Sequence, residues 1–209
     1  MILTPEFRPG IIQRVISRDI GVLDETQAAL FTAFLGSKRI ANGPLEQVAL
    51  AAKKAIDRGA KQPLFIYNDI TGHAIDIDSR GSDAELLARL ARPAPPSRPR
   101  GRGRPKLGVI AREVTLLPRH WQWLGSQPGG ASVAMRKLVE AARRANQEID
   151  QRRQKQEAAY HFMSAMAGNF ENFEEASRAL FASDRERFFD LVAAWPTDVR
   201  EHVSRLAFD

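Results

Sequence analysis

Between Arg92 and Lys106 the chain carries five prolines (Pro93, Pro95, Pro96, Pro99 and Pro105) interleaved with arginine and glycine. Proline removes a backbone donor and fixes φ, and glycine adds conformational freedom, so neither helix nor sheet interior fits this stretch. Almost no side chain in it can build a core. The run therefore divides the 209 residues into an N-terminal and a C-terminal portion, each of which must find its own reading. Residues 92–108 read as a basic, flexible linker.

Ahead of the linker, residues 1–27 are weakly patterned and read as a poorly ordered leader. Residues 28–91 read as a small α+β domain. Leu30–Leu35 is a short apolar run ending at Gly36-Ser37, the pattern of a buried strand, and Lys38–Ala41 pairs back on it before the Asn42-Gly43 turn. Pro44 takes the first helical position of a helix to about Arg58, with Val48, Ala49, Ala52 and Ile56 on one face and Gly59 as its stop. Pro63–Tyr67 is a second apolar strand. His73–Asp78 alternates apolar with polar and reads as the return strand of a hairpin. Ser82 and Glu85 have the spacing of a capping box ahead of a helix over Asp83–Leu90.

Behind the linker, Val109–Leu116 reads as a strand. Pro118 opens a helix with Trp121 and Leu124 on one face, Gln127–Gly130 breaks it, and Ser132 is expected to cap a second helix carrying Met135, Leu138, Val139, Ala142 and Ala145. This strand–helix–helix segment covers 109–146. Gln147–Glu157 is polar all round, which suits a solvent-exposed helical bridge. From Ala158 apolar stripes return at Phe162, Met163 and Met166, then at Phe173, Ala176 and Leu180, then at Phe188, Val192 and Trp195, then at Val199, Val203 and Leu206. Short gaps between these stripes predict a small helical bundle over 147–209. The fold class expected for the whole is α+β.

The net charge is +6, but it is unevenly placed: between Arg92 and Arg119 the only carboxylate is Glu113. A local cluster points to a polyanionic partner more strongly than a total does. With no cysteine, disulfides, thiolate metal sites and thiol nucleophiles are excluded. His73, His120, His161 and His202 are widely separated, so no metal or cofactor is expected. No apolar run is long enough to cross a bilayer, and Pro5, Glu6, Arg8 and Pro9 interrupt any signal-peptide core, which gives a cytoplasmic expectation. Asp69, Asp76 and Asp78 are the only acidic grouping that invites an enzymatic reading. Their places in a turn and on the outer face of an alternating strand argue for a non-enzyme.

Arg102-Gly103-Arg104-Pro105, with Arg98 and Arg100 ahead and Lys106 behind, resembles the AT-hook. The resemblance implies that this core lies extended in the minor groove of A·T-rich DNA. There the narrow groove concentrates negative potential, glycine admits close backbone approach and proline lowers the ordering cost. The segment after it resembles the ribbon-helix-helix repressors. That resemblance implies a homodimer joined by paired strands, with Thr115, Glu113 and Ala111 turned to the bases and the amides of Gly130, Ala131 and Ser132 at a phosphate. The phrases TGHAIDIDSRG, GRPKLGVIAREVTLLPRHWQWL and QPGGASVAMRKLVEAARR resemble an uncharacterised bacterial family of unknown function, which implies no activity. The reading that follows is a protein binding double-stranded DNA, a transcriptional regulator or nucleoid-associated factor, with Arg98 to Lys106, Thr115 and Ser132 as contact residues. The alternative is a non-enzymatic interaction scaffold with a basic spacer.

Overall fold

A computed structural model of the chain describes residues 30–91 and 112–209. The expected leader, the linker run and the first three residues of the strand expected over 109–116 lie outside the described residues.

The sheet is built around β1, Phe31–Leu35. It pairs antiparallel with β2, Lys38–Gly43, through the two-residue Gly36-Ser37 turn, and on its other edge with β3, Leu64–Asn68. Gly36 supplies the left-handed φ of +57° that this turn needs. A short β4, Ala74–Ile75, pairs with β3, giving the order β2-β1-β3-β4. The hairpin strand expected over His73–Asp78 is therefore reduced to two residues. Beyond Ile75 the chain leaves the ladder, and Asp78 instead binds the Arg80 side chain at 2.9 Å.

Both faces of the sheet are covered, as a strand with no polar alternation requires. Ala33 and Ile66 pack with Val48 and Ala52 of α1, Leu45–Asp57, while Phe34 and Tyr67 point into the larger core on the opposite face. Pro44 is the N-cap of α1 rather than its first residue. The register of β1 with β2 slips between Ala33 and Phe34, because Ile40 is an extra residue on β2. Past this bulge Arg39 stands opposite Phe34, on the face away from α1. The helix α2, Asp83–Leu90, has the expected capping box, with Ser82 Oγ accepting from the Glu85 amide and Glu85 accepting from the Ser82 amide.

After residue 112 the chain forms no strand: Arg112–Leu117 carries no regular structure, correcting the strand expected there. Two helices follow, α3 (Pro118–Ser126) and α4 (Gly130–Ala167). The cap of α4 is Gly129 in the left-handed region at φ 86°, so Ser132 lies inside the first turn and is not the cap. At 38 residues α4 is about 57 Å long, and it absorbs the expected bridge over 147–157. Then come α5 (Phe173–Phe181), α6 (Arg185–Leu191) and α7 (Thr197–Phe208).

The C-terminal helices and the sheet share one core. Phe162 of α4 lies with its ring 5.4 Å from Phe34, 4.9 Å from Tyr67 and 4.4 Å from His202 of α7, centroid to centroid. Met163, Leu180, Phe188, Val192, Val199 and Val203 extend the same core. The segments on either side of the linker run thus pack face to face, with α4 and α7 laid on the sheet opposite α1. The result is an α+β fold with a small antiparallel sheet and a mainly helical C-terminal region.

Candidate functional site

Two features stand out chemically: a polar knot where α7 meets the sheet, and the first half of α4 with α3 on it. The knot centres on Asp69, just after β3. Its carboxylate accepts from Thr32 Oγ1 at 2.9 Å, Asn42 Nδ2 at 3.0 Å and Arg205 Nη2 at 2.9 Å. Thr32 and Asn42 are opposite one another on β1 and β2, and the bulge at Ile40 keeps them in that pairing alongside Arg39. Arg205 also donates to His202 Nδ1 at 2.9 Å, which leaves the proton on Nε2, 3.7 Å from Asp69 Oδ1.

Burial holds Asp69 above the usual carboxylate range, against the pull of its three donors. Burial also pushes His202 down to about 3, with Arg205 and Arg39 reinforcing the fall. His202 is therefore neutral at physiological pH and meets Asp69 as a dipole, not as an ion. Thr32 donates to Asp69 and not to the imidazole, so the three side chains do not form a hydroxyl–imidazole–carboxylate relay. What this arrangement does chemically is fasten α7 to the sheet. A second tie lies beside it, where Asp198 accepts from the Arg39 amide at 2.8 Å and Glu201 binds the Arg39 guanidinium at 3.2 Å.

The acidic grouping singled out in the sequence does not converge. Asp69 is turned to α7, Asp78 is held by Arg80 well below the usual carboxylate range, and Asp76 is exposed. Among the described residues no group of three or more His, Asp or Glu has the geometry to hold a metal ion. Next to this region Gly72, at φ +71°, sits so close to α4 that a Cβ would fall 1.8 Å from the Ala158 carbonyl oxygen. His161 Nδ1 lies 3.0 Å from the Thr71 carbonyl, and its ring stacks on His73 at 3.9 Å. The Thr71–His73 turn is thereby seated on α4.

The other feature is an arm. Of the described residues between 112 and 157, only Leu124 and Ala134 are buried; they mark where α3 lies on the first turns of α4. Thr115 is exposed in the irregular segment before α3, and Ser132 is exposed in the first turn of α4. Arg98, Arg100, Arg102, Gly103, Arg104, Pro105 and Lys106 lie outside the described residues. Along α4, Arg136, Lys137, Arg143 and Arg144 are all exposed. At 100° per residue the four fall on one side of the helix, with Glu140 between them. Glu140 reaches both Arg143 and Arg144 at 3.5 Å. The opposite side carries Leu138, Ala142, Ala145 and Ile149, with Leu138 49% and Ile149 53% exposed.

Residues 30–207 match the family described as "Uncharacterized protein conserved in bacteria (DUF2239)". The chain belongs to this family. The match runs from β1 to α7, and so takes in the sheet, the arm and the knot of this DUF2239 member together. No curated protein and no solved structure matches the chain. No described helix is long and apolar enough to cross a membrane.

In this DUF2239 chain the knot was not evident from sequence, yet a signal exists. His202 lies on the stripe formed by Val199, Val203 and Leu206, all buried, and a polar residue on a core-facing stripe calls for a buried partner. The partners are far away in sequence: Thr32, Asn42 and Asp69 are set beside it only by the strand register.

Proposed function

We propose that the chain binds double-stranded DNA through cations carried on the arm and in the basic run ahead of it. The observation that carries this reading is the exposed stripe of Arg136, Lys137, Arg143 and Arg144 on α4. The two pairs are seven residues apart, about 10 Å along the axis, and a helix presented this way can meet successive phosphates. Arg112 and Arg119 add exposed positive charge near the foot of α3. The run from Arg98 to Lys106 supplies the second element: the Arg102-Gly103-Arg104-Pro105 core is suited to a narrow A·T minor groove. Thr115 and Ser132 are polar positions on the same arm that can meet a backbone or a base edge. With Arg112–Leu117 outside any strand, a paired-strand ribbon is not part of the proposal.

The test is a gel-shift titration of the full chain against A·T-rich and G·C-rich duplexes over a range of salt. Tight, salt-dependent binding that favours the A·T-rich probe is expected. Arg102→Ala with Arg104→Ala should lower A·T-rich affinity by roughly tenfold to a hundredfold while affecting the G·C-rich probe less. Equal affinity of variant and parent would remove the hook from the account. One observation favours a second reading, an interaction scaffold: Trp121 and Trp123 of α3 are 44% and 51% exposed, and aromatic side chains in the open suit a protein contact. Failure to bind any duplex in dilute buffer would leave that reading standing.

A further inference from the structure

The apolar side of the arm has a spacing of its own. Ala131, Met135, Leu138, Ala142, Ala145 and Ile149 follow one another at steps of four, three, four, three and four. That alternation of four and three is one that two paired helices use, and a helix lying on a globular core shares it. The first two positions are half-buried beneath α3. From Leu138 onward the stripe is open, and Val139 beside it is 54% exposed. At the far end Arg152 takes the next position in the repeat, and Gln156 after it turns to the body, donating to the Leu180 carbonyl at 2.8 Å. The open seam is thus bounded on both sides.

We propose that this seam is the self-association surface of the chain, and that two copies pair their α4 helices in parallel and in register. The charges beside the seam identify the occupant. With Leu138 and Ala145 as d positions and Ala142 and Ile149 as a positions, Glu148 is a g residue and Arg153 the following e residue. In a parallel, in-register pair each Glu148 faces Arg153 of the second copy, and the two-fold axis makes that contact twice. Among the described residues the ion pair of Arg153 is with Asp150, at 3.4 Å and well exposed, which leaves its guanidinium accessible. An antiparallel pair centred on the same seam sets Glu148 against Ala141 and loses both contacts. Arg152, which lines a groove with Ser183, Arg185 and Phe208 of its own chain, would meet its own counterpart at the next d position, and this like-charge pair ends the contact where the body begins. Arg136, Lys137, Arg143 and Arg144 stay on the outer sides of the pair. A dimer would therefore present two basic stripes, although the pairing itself needs no DNA.

The chain has no cysteine, which makes the test direct. Ala145→Cys places one thiol at a d position, and Gln147→Cys places one on the outer side of the same turn. Mild oxidation without DNA should yield a covalent dimer of Ala145→Cys on a non-reducing gel, while Gln147→Cys stays a monomer. Light scattering of the untreated parent should give twice the chain mass, falling to the monomer mass in Ile149→Asp. Leu138→Cys, the other d position, serves if Ala145→Cys proves poorly folded. A monomeric parent overturns the proposal, and so does a dimer in which neither d-position cysteine cross-links. The first result means that something other than a second copy covers the seam; the second means that the copies pair in another register. Neither bears on DNA binding, and a dimer that ignores duplexes would defeat only the functional reading.

Discussion

One helix belongs to two environments. In its last third α4 buries Ala158, Ala159, Phe162, Met163 and Ala167 among the aromatics of the sheet and the valines of α7. In its first two thirds the same helix buries only Ala134. The body half is apolar, contacts elements far apart in sequence and draws its stability from packing. The arm half is held by its own backbone hydrogen bonds, by i,i+3 and i,i+4 ion pairs such as Glu140 with Arg143 and Arg144, and by α3. The body therefore accounts for most of the buried core, while the arm has charge on one side and an apolar seam on the other, both left exposed.

Glycine substitution sharpens this contrast most. Gly72→Ala should destabilise the body by roughly 3–5 kcal/mol, since the new Cβ meets backbone that cannot turn aside and the positive φ adds strain. Gly125→Ala in α3, where nothing lies within 4 Å of the added carbon, should be neutral or stabilise by up to about 1 kcal/mol. Denaturant melts of the two variants beside the parent check the pair, and similar losses in both would break the distinction between body and arm.

A smaller effect is expected from pH, and it belongs to the body alone. His202 is depressed from 6.5 to about 3 in the folded chain. A depressed group contributes stability above its unfolded pKa and loses it as pH falls toward the folded value. Between pH 6.5 and pH 5 this loss should reach about 2 kcal/mol. Asp69 acts in the opposite sense, because burial raises it and its contribution is lost as pH rises through its own pKa. His202→Asn isolates the histidine: its stability, measured by urea melts across this range, should fall less on acidification than that of the parent. An unchanged pH slope would mean that His202 is not held neutral by its surroundings.

The elements of the body were largely legible in the sequence, because period and punctuation agreed. Gly36-Ser37, Gly59 and the Ser82–Glu85 capping box all stand at the element ends expected of them. The strand expected before Pro118 failed in its described part, since Val114 and Leu116 alternate with polar neighbours but the described sheet brings no edge to meet them. Ser132 was misplaced because Gly129, three residues earlier than a side-chain cap was sought, reaches the left-handed region and opens α4. The knot could not be read at all from local pattern: Thr32, Asn42 and Asp69 look like a strand residue and two turn residues until the bulge at Ile40 and the docking of α7 bring them together. The cations of the arm were visible as residues, but only the helix puts the four of them on one side.

The measurement that bears most directly on the arm is duplex affinity against salt for the parent and for a variant with Arg136, Lys137, Arg143 and Arg144 all changed to Gln. Each phosphate contact contributes about 0.9 to the slope of log affinity against log salt, so the variant should bind more weakly at every salt concentration with a slope shallower by up to about 3.6 per chain. Its melting in urea should match the parent, because none of the four touches the body. Identical affinity and slope in the two proteins would contradict the account, leaving the outer side of α4 as a solvated surface with no part in binding.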